Sequence, residues 1–430
     1  MVFLIDIKII RENPDIVKKD LEKRDRPDLI KKLEKVREYD VLYREKLKEV
    51  EDLRKQRNIL SKEISELKKK GKDASFKLKI VRNIPDKIKK KEEKTLELKQ
   101  KIHDIMLDLP NILHKSVPIG IDDTKNKTIS TWGKKPSFKF PVKSHVDLLE
   151  EKDLADTLKA SEVAGSRFYY LKNELVLLDY ALMMYSLDLL YKKGFILMEP
   201  PYMLRRKVYE AMVSMQDFEE VMYKIDDEDL YLIATSEHSM GAYHINEVIE
   251  GKRLPLKYAS ISPCFRKEAG SHGKDTKGIF RVHHFHKVEQ FVFSKQEDSW
   301  DIHEELLKNA EELMQKLKLP YKVVNVCTGD MGIVAAKKYD IEVWMPGQKK
   351  YREAVSCSNC TDYQARRLNT KYEEAGKRQF VHTLNSTAIA TSRIIVAIME
   401  NFQNKDGSFN VPKVLWPYMS GVKVIGKKKK

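Results

Sequence analysis

Apolar residues in the first quarter of the chain recur mostly at spacings of three, four or seven. This period places them on one face of a helix. The pattern breaks at Gly71, inside "KKKGKD", and then resumes. Two long helices joined by a short polar turn predict an antiparallel coiled-coil hairpin. The seam positions are Leu29, Leu33, Val36, Tyr43, Leu47, Val50, Leu53, Leu60, Ile64, Leu67, Ile80, Ile84, Ile88, Leu98, Ile102, Ile105 and Leu109.

The segments around this hairpin set the expected domain boundary. Residues 1 to about 28 predict a short strand and a helix, and Pro85 predicts a kink or a later start in the second long helix. The stretch "LPNILHKSVPIGIDD" has two prolines and no period, which is typical of a linker. We expect an N-terminal domain over 1–112 and a second domain over 113–430.

The second domain mixes strand-like alternation with amphipathic helical stretches. This mixture predicts an α+β fold built on a large antiparallel sheet with helices packed against it. Motifs typical of the common nucleotide folds do not occur, since the chain has neither GxxxxGK[ST] nor GxGxxG after a strand. A nucleotide would therefore need another architecture.

Positive charge is concentrated in the predicted hairpin. From Arg44 to Lys101 there are 21 Lys and Arg against 11 Asp and Glu, which is +10 of the chain's net +16. A basic arm suits a polyanion such as nucleic acid, because lysines near phosphates release condensed counterions. A solvated coiled coil kept soluble by its charges explains the same pattern, and charge alone leaves both interpretations open.

The cysteine count and the apolar segments indicate the cellular compartment in which the protein is expected. Four cysteines in 430 residues do not make a disulfide framework. The N-terminal "MVFLIDIKIIRENPD" has charges within its apolar run, unlike a signal peptide. Apolar stretches stay shorter than the roughly 18 residues that a membrane span needs. We expect a cytoplasmic protein without a membrane partner.

The stretch from Ser262 to Phe293 carries the most informative chemistry. It is predicted to be two strands around the loop 269–278, which contains three glycines and two lysines. Alternate residues of a strand share a face. If the strands pair, one sheet face presents Arg266, Glu268, Arg281, Phe285 and Glu289 together.

These side chains suit two ligands at once. Two guanidinium groups can bind phosphate oxygens bidentately, an aromatic ring suits a planar base, and carboxylates suit an ammonium or hydroxyl donor. The face could therefore hold a nucleoside triphosphate and an amino acid. A ladder of cross-strand salt bridges on a wet surface is the alternative, although the flanking apolar residues favour a partly buried face.

Two clusters suggest metal chemistry only weakly. His283, His284 and His286 lack a carboxylate or cysteine at metal spacing. Cys357 and Cys360 form a single CxxC, whereas a structural zinc site usually needs two more ligands. Small buried thiols at a tight turn are the favoured interpretation of the cysteines, and the role of the histidine cluster stays open.

Four segments together resemble the seryl-tRNA synthetases of class II. "GFILMEPPYMLRRKVYEAMV" (194–213) is similar to the first class II motif, "FRKEAGSHGKDTKGIFRVHHFHKVEQF" to the second (within 262–293), and "HTLNSTAIATSRIIVAIMEN" (382–401) to the third. "YREAVSCSNCTDYQARR" also resembles these enzymes, and the hairpin resembles their tRNA-binding arm. The third motif resembles the archaeal and eukaryotic versions of the common, zinc-independent branch.

The resemblance implies roles for individual residues. Arg266 and Arg393 would be the catalytic arginines, on the α- and γ-phosphates of ATP. Glu353 and Ser356 would hold Mg²⁺ and ATP. The implied ATP-binding residues are Arg266, Glu268, Arg281, Val282, Phe285, Glu353, Ser356 and Arg393, with adenine stacked on Phe285. The implied serine-binding residues are Thr235, Glu237, Arg266, Glu289, Asn385 and Thr387.

The resemblance also implies an activity and partners. The enzyme would activate L-serine with ATP and Mg²⁺, without zinc, and transfer it to tRNA(Ser) bound by the arm. It leaves open whether tRNA(Sec) is charged too. Pro200 or Pro201 in the first motif would help to build a homodimer. A non-catalytic relative, a ligase for a carrier protein and a coiled-coil scaffold are the rivals. The intact motif residues favour the enzyme over the first, and the long arm disfavours the second.

Overall fold

The computed structural model divides the chain into two compact units, which meet in sequence between Pro110 and Asn111. None of the helices in the described part combines the length and hydropathy that a bilayer crossing requires. The residues that the structure describes are 6–214, 221–268, 275 and 277–427.

The first unit is helical. Its described helices are α1 (Ile7–Glu12), α2 (Pro14–Lys23), α3 (Pro27–Lys69) and α4 (Ser75–Asp108). The predicted hairpin of two long helices is confirmed in α3 and α4. The strand predicted before residue 28 is wrong for residues 7–12, which are helical, while residues 1–5 lie outside the described part. A later start of the second helix is also wrong, because α4 begins at Ser75 and continues through Pro85.

Apolar packing holds α3 against α4, and charge pairs between the two helices accompany it. Val50, Ile84 and Ile88 are buried in one cluster along the predicted seam. Outside this seam, Arg54 Nη2 lies 2.6 Å from Glu92 Oε1 on the facing helix. Exposed pairs of this kind add little stability. The apolar seam is therefore the main attraction, and it leaves most lysines on the outer faces.

The second unit combines helices with a large sheet. Its described helices are α5 (His145–Glu151), α6 (Thr157–Ala164), α7 (Glu174–Lys192), α8 (Arg206–Met212), α9 (Ser236–Ala242), α10 (Ser299–Lys316), α11 (Tyr363–Leu368) and α12 (Thr391–Asn401). Its described strands are β1 (Lys127–Trp132), β2 (Ala155–Asp156), β3 (Tyr170–Leu171), β4 (Ile196–Met198), β5 (Met203–Leu204), β6 (Tyr231–Leu232), β7 (Val248–Glu250), β8 (Leu256–Phe265), β9 (His284–Ser294), β10 (Tyr321–Asn325), β11 (Lys337–Met345), β12 (Lys350–Asn359), β13 (Lys371–Glu374), β14 (Lys377–Phe380), β15 (His382–Ala390), β16 (Phe409–Asn410) and β17 (Val424–Ile425).

Among the described residues, the main sheet has eight strands in the order β1-β10-β11-β12-β15-β9-β8-β4. Every neighbouring pair is antiparallel except β4 and β8, which are parallel. The predicted α+β fold on a large antiparallel sheet is thus confirmed. The predicted pairing of the strands around residues 262–293 is present as β8 and β9, with Cys264 opposite Phe285. Most of the loop 269–278 lies outside the described residues.

The hydrophobic core lies between this sheet and helices α7, α10 and α12. Leu182, Leu306 and Ile395 contribute to it from the three helices, and Val288 and Val292 from β9. In β9 the alternate residues Phe285, Lys287 and Glu289 line a cavity, and Phe285 also borders the core. The period-two pattern thus separates a packed face from a chemical face on the same strand.

Candidate active site

A cavity of about 340 Å³ lies beside the central strands of the sheet. Its walls include Arg266 just after β8, together with residues of β9, β11, β12, β15 and the first turn of α9. Ten of the sequence-predicted site residues line it. These are Thr235, Glu237, Arg266, Phe285, Glu289, Glu353, Ser356, Asn385, Thr387 and Arg393.

Arg266 is held at the end of β8. Its backbone N–H donates to the carbonyl of His283 at 2.9 Å, and its Nε donates to the carbonyl of Ala234 at 3.3 Å. The guanidinium carbon lies 5.3 Å from the ring centroid of Phe285, a distance typical of a cation–π contact. The cation and the ring therefore face the same cavity.

Glu289 is buried at 1% exposure and is bonded on two sides. Lys287 Nζ lies 2.5 Å from its Oε2, and Thr387 Oγ1 donates to the same oxygen at 3.2 Å. This second bond follows from register, since Thr387 stands opposite Glu289 across β15 and β9. Burial raises the pKa of Glu289, and the ammonium of Lys287 opposes that rise.

Glu237 lies in the first turn of α9, where its backbone N–H donates to Thr235 Oγ1 at 3.2 Å. Its Oε1 accepts from Gln364 Nε2 at 3.2 Å and from Asn385 Nδ2 at 3.1 Å. Burial and the nearby carboxylate of Glu289 raise the pKa of Glu237 to about 7. Two acidic groups thus share one cavity with the cations of Arg266 and Lys287.

Arg393 and Glu353 form another part of the wall. Arg393 Nη1 donates to the backbone carbonyl of Glu353 at 3.0 Å and lies 3.4 Å from its Oε1. The same two residues also line a second cavity of about 490 Å³, which Arg281 borders as well. Arg281 Nη1 lies 2.9 Å from Glu268 Oε2. The predicted phosphate-binding arginines therefore lie along two cavities that share a wall.

Val282 has a different position from the other predicted ligands. Its side chain is 2% exposed and belongs to the main hydrophobic core. It neighbours Arg281 in sequence but does not line either cavity. Its predicted contact with a nucleotide remains a prediction.

Oxygen atoms suitable for Mg²⁺ occur beside Arg393. Glu353 and Ser356 line the cavity from β12, and Asp340 stands opposite Ser356 on β11. Asp340 Oδ1 is buried and makes no hydrogen bond to the described residues. Carboxylate and hydroxyl oxygens with room for water suit Mg²⁺, so these residues fit the ion that the resemblance implies.

The histidine cluster at 283–286 and the cysteine pair at 357 and 360 make contacts with neighbouring side chains. Within the described residues, no group of three or more His, Cys, Asp or Glu side chains could hold a metal. His286 Nδ1 lies 2.7 Å from Asp179 Oδ2, and His284 stacks on Phe265. Cys357 and Cys360 are buried free thiols, and burial raises the pKa of both.

Several residues that line the cavity or contact its side chains had no role predicted from the sequence. Lys287 lies between Phe285 and Glu289 in the period-two pattern, so the sequence did carry a signal for it. Lys338 on β11 lines the cavity, and Gln364 on α11 contacts Glu237. Gln364 lies within "YREAVSCSNCTDYQARR", so the resemblance marked its segment but not the residue. Lys338 has no local signal, because only the tertiary fold brings β11 to the cavity.

Family comparisons agree with this geometry. Residues 221–402 match the model of the tRNA synthetase class II core domain (G, H, P, S and T). Residues 4–113 match the model of the seryl-tRNA synthetase N-terminal domain. The fold and the core match therefore define a class II aminoacyl-tRNA synthetase.

Full-length relatives give the particular family. The serine–tRNA ligase of Pyrococcus horikoshii is 52% identical and covers 99% of both chains. That of Methanospirillum hungatei is 52% identical over 97% of this chain and 99% of its own. This chain belongs to the seryl-tRNA synthetase family, which confirms the resemblance found in its motifs.

Solved structures agree as well. The crystal structure of seryl-tRNA synthetase from Pyrococcus horikoshii complexed with ATP has a TM-score of 0.94 and covers 98% of this chain and 99% of its own. The sequence identity of that pair is 52%. The cytoplasmic serine–tRNA ligase of Naegleria fowleri in complex with AMP has a TM-score of 0.90 at 34% identity, with full coverage of both chains.

The raised pKa of Glu237 predicts a pH-dependent stability cost. Between pH 4.5 and about 7 the unfolded chain ionises this carboxyl while the folded chain keeps the proton, so the parent loses stability as pH rises. Glu237→Gln carries no such cost. Its stability relative to the parent should increase by on the order of 2–3 kcal/mol from pH 5 to pH 8 in urea unfolding.

The matched control for this measurement is Glu150→Gln, at an exposed glutamate of α5. Its difference from the parent should be the same at both pH values, because its side chain lies in solvent. An equally flat difference for Glu237→Gln would contradict the burial of an acidic group in the cavity.

Proposed function

We propose that this chain is a serine–tRNA ligase that activates L-serine with ATP and transfers the seryl group to the 3′ end of tRNA(Ser). The observation that carries this proposal is the single cavity in which Arg266, Phe285 and Glu289 meet. It combines a cation for phosphate, a ring for a base and a buried acceptor. The related enzymes of Pyrococcus horikoshii and Naegleria fowleri have been solved in complex with ATP and AMP, respectively.

In this proposal the serine subsite lies between Glu237 and Glu289. Glu237 accepts the ammonium group of serine, and Glu289, held by Lys287 and Thr387, accepts the side-chain hydroxyl. Alanine lacks this hydroxyl and would leave a desolvated acceptor unpaired. Sites of this kind discriminate by about 10⁴ or more. Threonine must be rejected by shape, which is a weaker selection.

The nucleotide subsite extends from Phe285 toward Arg393. Adenine stacks on Phe285, Arg266 contacts the α-phosphate, and Arg393 contacts the γ-phosphate, with Arg281 and Glu268 beside the nucleotide. The serine carboxylate attacks the α-phosphorus and pyrophosphate leaves. The arginines stabilise charge that develops at the α-phosphate and on the leaving group. Catalysis then consists of positioning and electrostatics, without a protein nucleophile.

Glu353 and Ser356 are the residues that would hold Mg²⁺ with ATP. The ion supplies neutralisation of phosphate charge when it is bound. Arg393 contacts Glu353 through its backbone carbonyl and its carboxylate. This contact orients the carboxylate before ATP arrives.

Exposed surfaces of the chain support the proposed binding of tRNA and of a second subunit. We assign tRNA binding to the basic hairpin of α3 and α4 and place the activity in the cytoplasm. Homodimerisation is supported by α7, where Tyr180, Met184 and Tyr191 are 57%, 51% and 66% exposed. The edge strand β4 adds an exposed Ile196. Several large apolar side chains exposed on one helix and the neighbouring edge strand are typical of interaction sites.

Pyrophosphate exchange followed by charging tests the function. The purified chain is incubated with ATP, Mg²⁺, radiolabelled pyrophosphate and each amino acid in turn, and then with tRNA. Serine alone should support exchange, and the tRNA that becomes acylated should be tRNA(Ser). Exchange with a different amino acid, or none with serine, would reject the proposal.

Arg266→Ala should lower the rate of serine-dependent exchange by roughly a hundredfold or more, the scale of losing one transition-state donor. Arg378→Ala is the matched control, because its side chain is 64% exposed and pairs with Glu373 outside the cavity. This control should exchange at the parental rate. A near-parental rate for Arg266→Ala would remove that residue from the mechanism.

Deleting residues 30–108 should spare seryl-adenylate formation and abolish tRNA charging. In the intact chain, tRNA affinity should fall steeply with salt, because lysines on the arm displace counterions from phosphate. Exchange assays and filter binding across a salt series measure the two effects. Flat salt dependence, or normal charging without the arm, would contradict its assigned role.

A further inference from the structure

Gln364 is a buried polar residue with no role in the proposed chemistry so far. It lies on α11 with 0% exposure. Its Nε2 donates to the carbonyl of Met212 at 3.3 Å and to Glu237 Oε1 at 3.2 Å. Its Oε1 accepts from Thr383 Oγ1 at 2.7 Å. Because Nε2 faces two acceptors and Oε1 faces a donor, the orientation of the side-chain amide is determined.

The contact with Glu237 is shared with Asn385. Asn385 Nδ2 donates to Glu237 Oε1 at 3.1 Å and to Cys360 Sγ at 3.7 Å. Both amide donors therefore converge on the same carboxylate oxygen, and neither takes Oε2. This arrangement fixes the rotation of the carboxylate, so that Oε2 is the oxygen left to a ligand.

Glu237 needs such donors because its surroundings oppose its charge. Burial and Glu289 on β9 favour the protonated form, while Lys287 on β9, Arg266 after β8 and Gln364 favour the ionised form. Other titratable neighbours are His238, the next residue on α9, Tyr209 on α8 and Cys360 after β12. A hydrogen bond to a charged acceptor is stronger than one between neutral groups.

We propose that Gln364 is a positioning residue for recognition of the amino group of the substrate. By donating to Oε1, it favours the ionised carboxylate of Glu237 and directs Oε2 toward the ammonium. Thr383 supports this role by holding the amide. The inference rests on the proposed function, because it requires an amino acid bound at Glu237.

Gln364→Met keeps the length of the side chain and removes the amide, with both its N–H donors and its carbonyl acceptor. The KM for serine in pyrophosphate exchange should rise roughly 10- to 100-fold, the scale of one lost bond to a charged group. The increase should be larger near pH 6 than near pH 8.5, because loss of the donor extends the protonated form of Glu237 to higher pH. The KM for ATP and kcat should change little.

Two further variants distinguish a positioning role of Gln364 from a purely structural one. Gln290→Met is the matched control, since Gln290 is also 0% exposed but bonds to Leu306 and Asn309 away from the cavity. It should leave the KM for serine unchanged. Thr383→Val keeps the shape of the hydroxyl-bearing side chain and leaves Gln364 in place. It should raise the KM for serine a few-fold, again more at low pH.

The outcomes are distinct. If the parent shows no serine-dependent exchange, the proposed function itself fails. If the parent is active, the inference is overturned by an unchanged KM for serine in Gln364→Met, by an increase independent of pH, or by an equal increase in the KM for ATP. Should Gln364→Met fail to fold, an unchanged KM for serine in Thr383→Val overturns it instead.

Discussion

The constraint on which the site depends is the need to keep opposite charges together beside a hydrophobic core. Burial raises the pKa of both Glu237 and Glu289, and the carboxylate of Glu289 adds to the cost of ionising Glu237. Arg266, Lys287 and the amide donors offset that cost. Removing Arg266 or Lys287 would leave the buried carboxylates uncompensated, which is expensive. The charged side chains of the cavity are therefore coupled, because the ionisation of each one depends on the others.

The sheet makes this coupling possible because strand register fixes which side chains meet. Thr387 stands opposite Glu289 in β15 and β9, and Cys264 stands opposite Phe285 in β8 and β9. A slip of one residue would turn the charged side chains into the core and the valines into the cavity. The apolar face of β9, packed under α7 and α12, therefore also secures the position of its chemical face.

Much of this arrangement could be predicted from the sequence, because strand alternation is a local property. Arg266, Phe285 and Glu289 were predicted to share a face, and they line one cavity. Heptad-like spacing likewise predicted the two long helices. Gln364 and Lys338 could not be found in this way, because long-range packing brings α11 and β11 to the cavity. The early strand was wrong for residues 7–12 because a short apolar run fits a helix as well as a strand.

A crystal structure with a non-hydrolysable analogue of seryl-adenylate tests whether Arg266, Phe285 and Glu289 form one substrate site. We expect the serine hydroxyl at about 2.6–3.2 Å from the Glu289 carboxylate, the ammonium at Glu237 and adenine against Phe285. An analogue bound in this cavity with its hydroxyl directed away from Glu289, or bound elsewhere on the sheet, would contradict it.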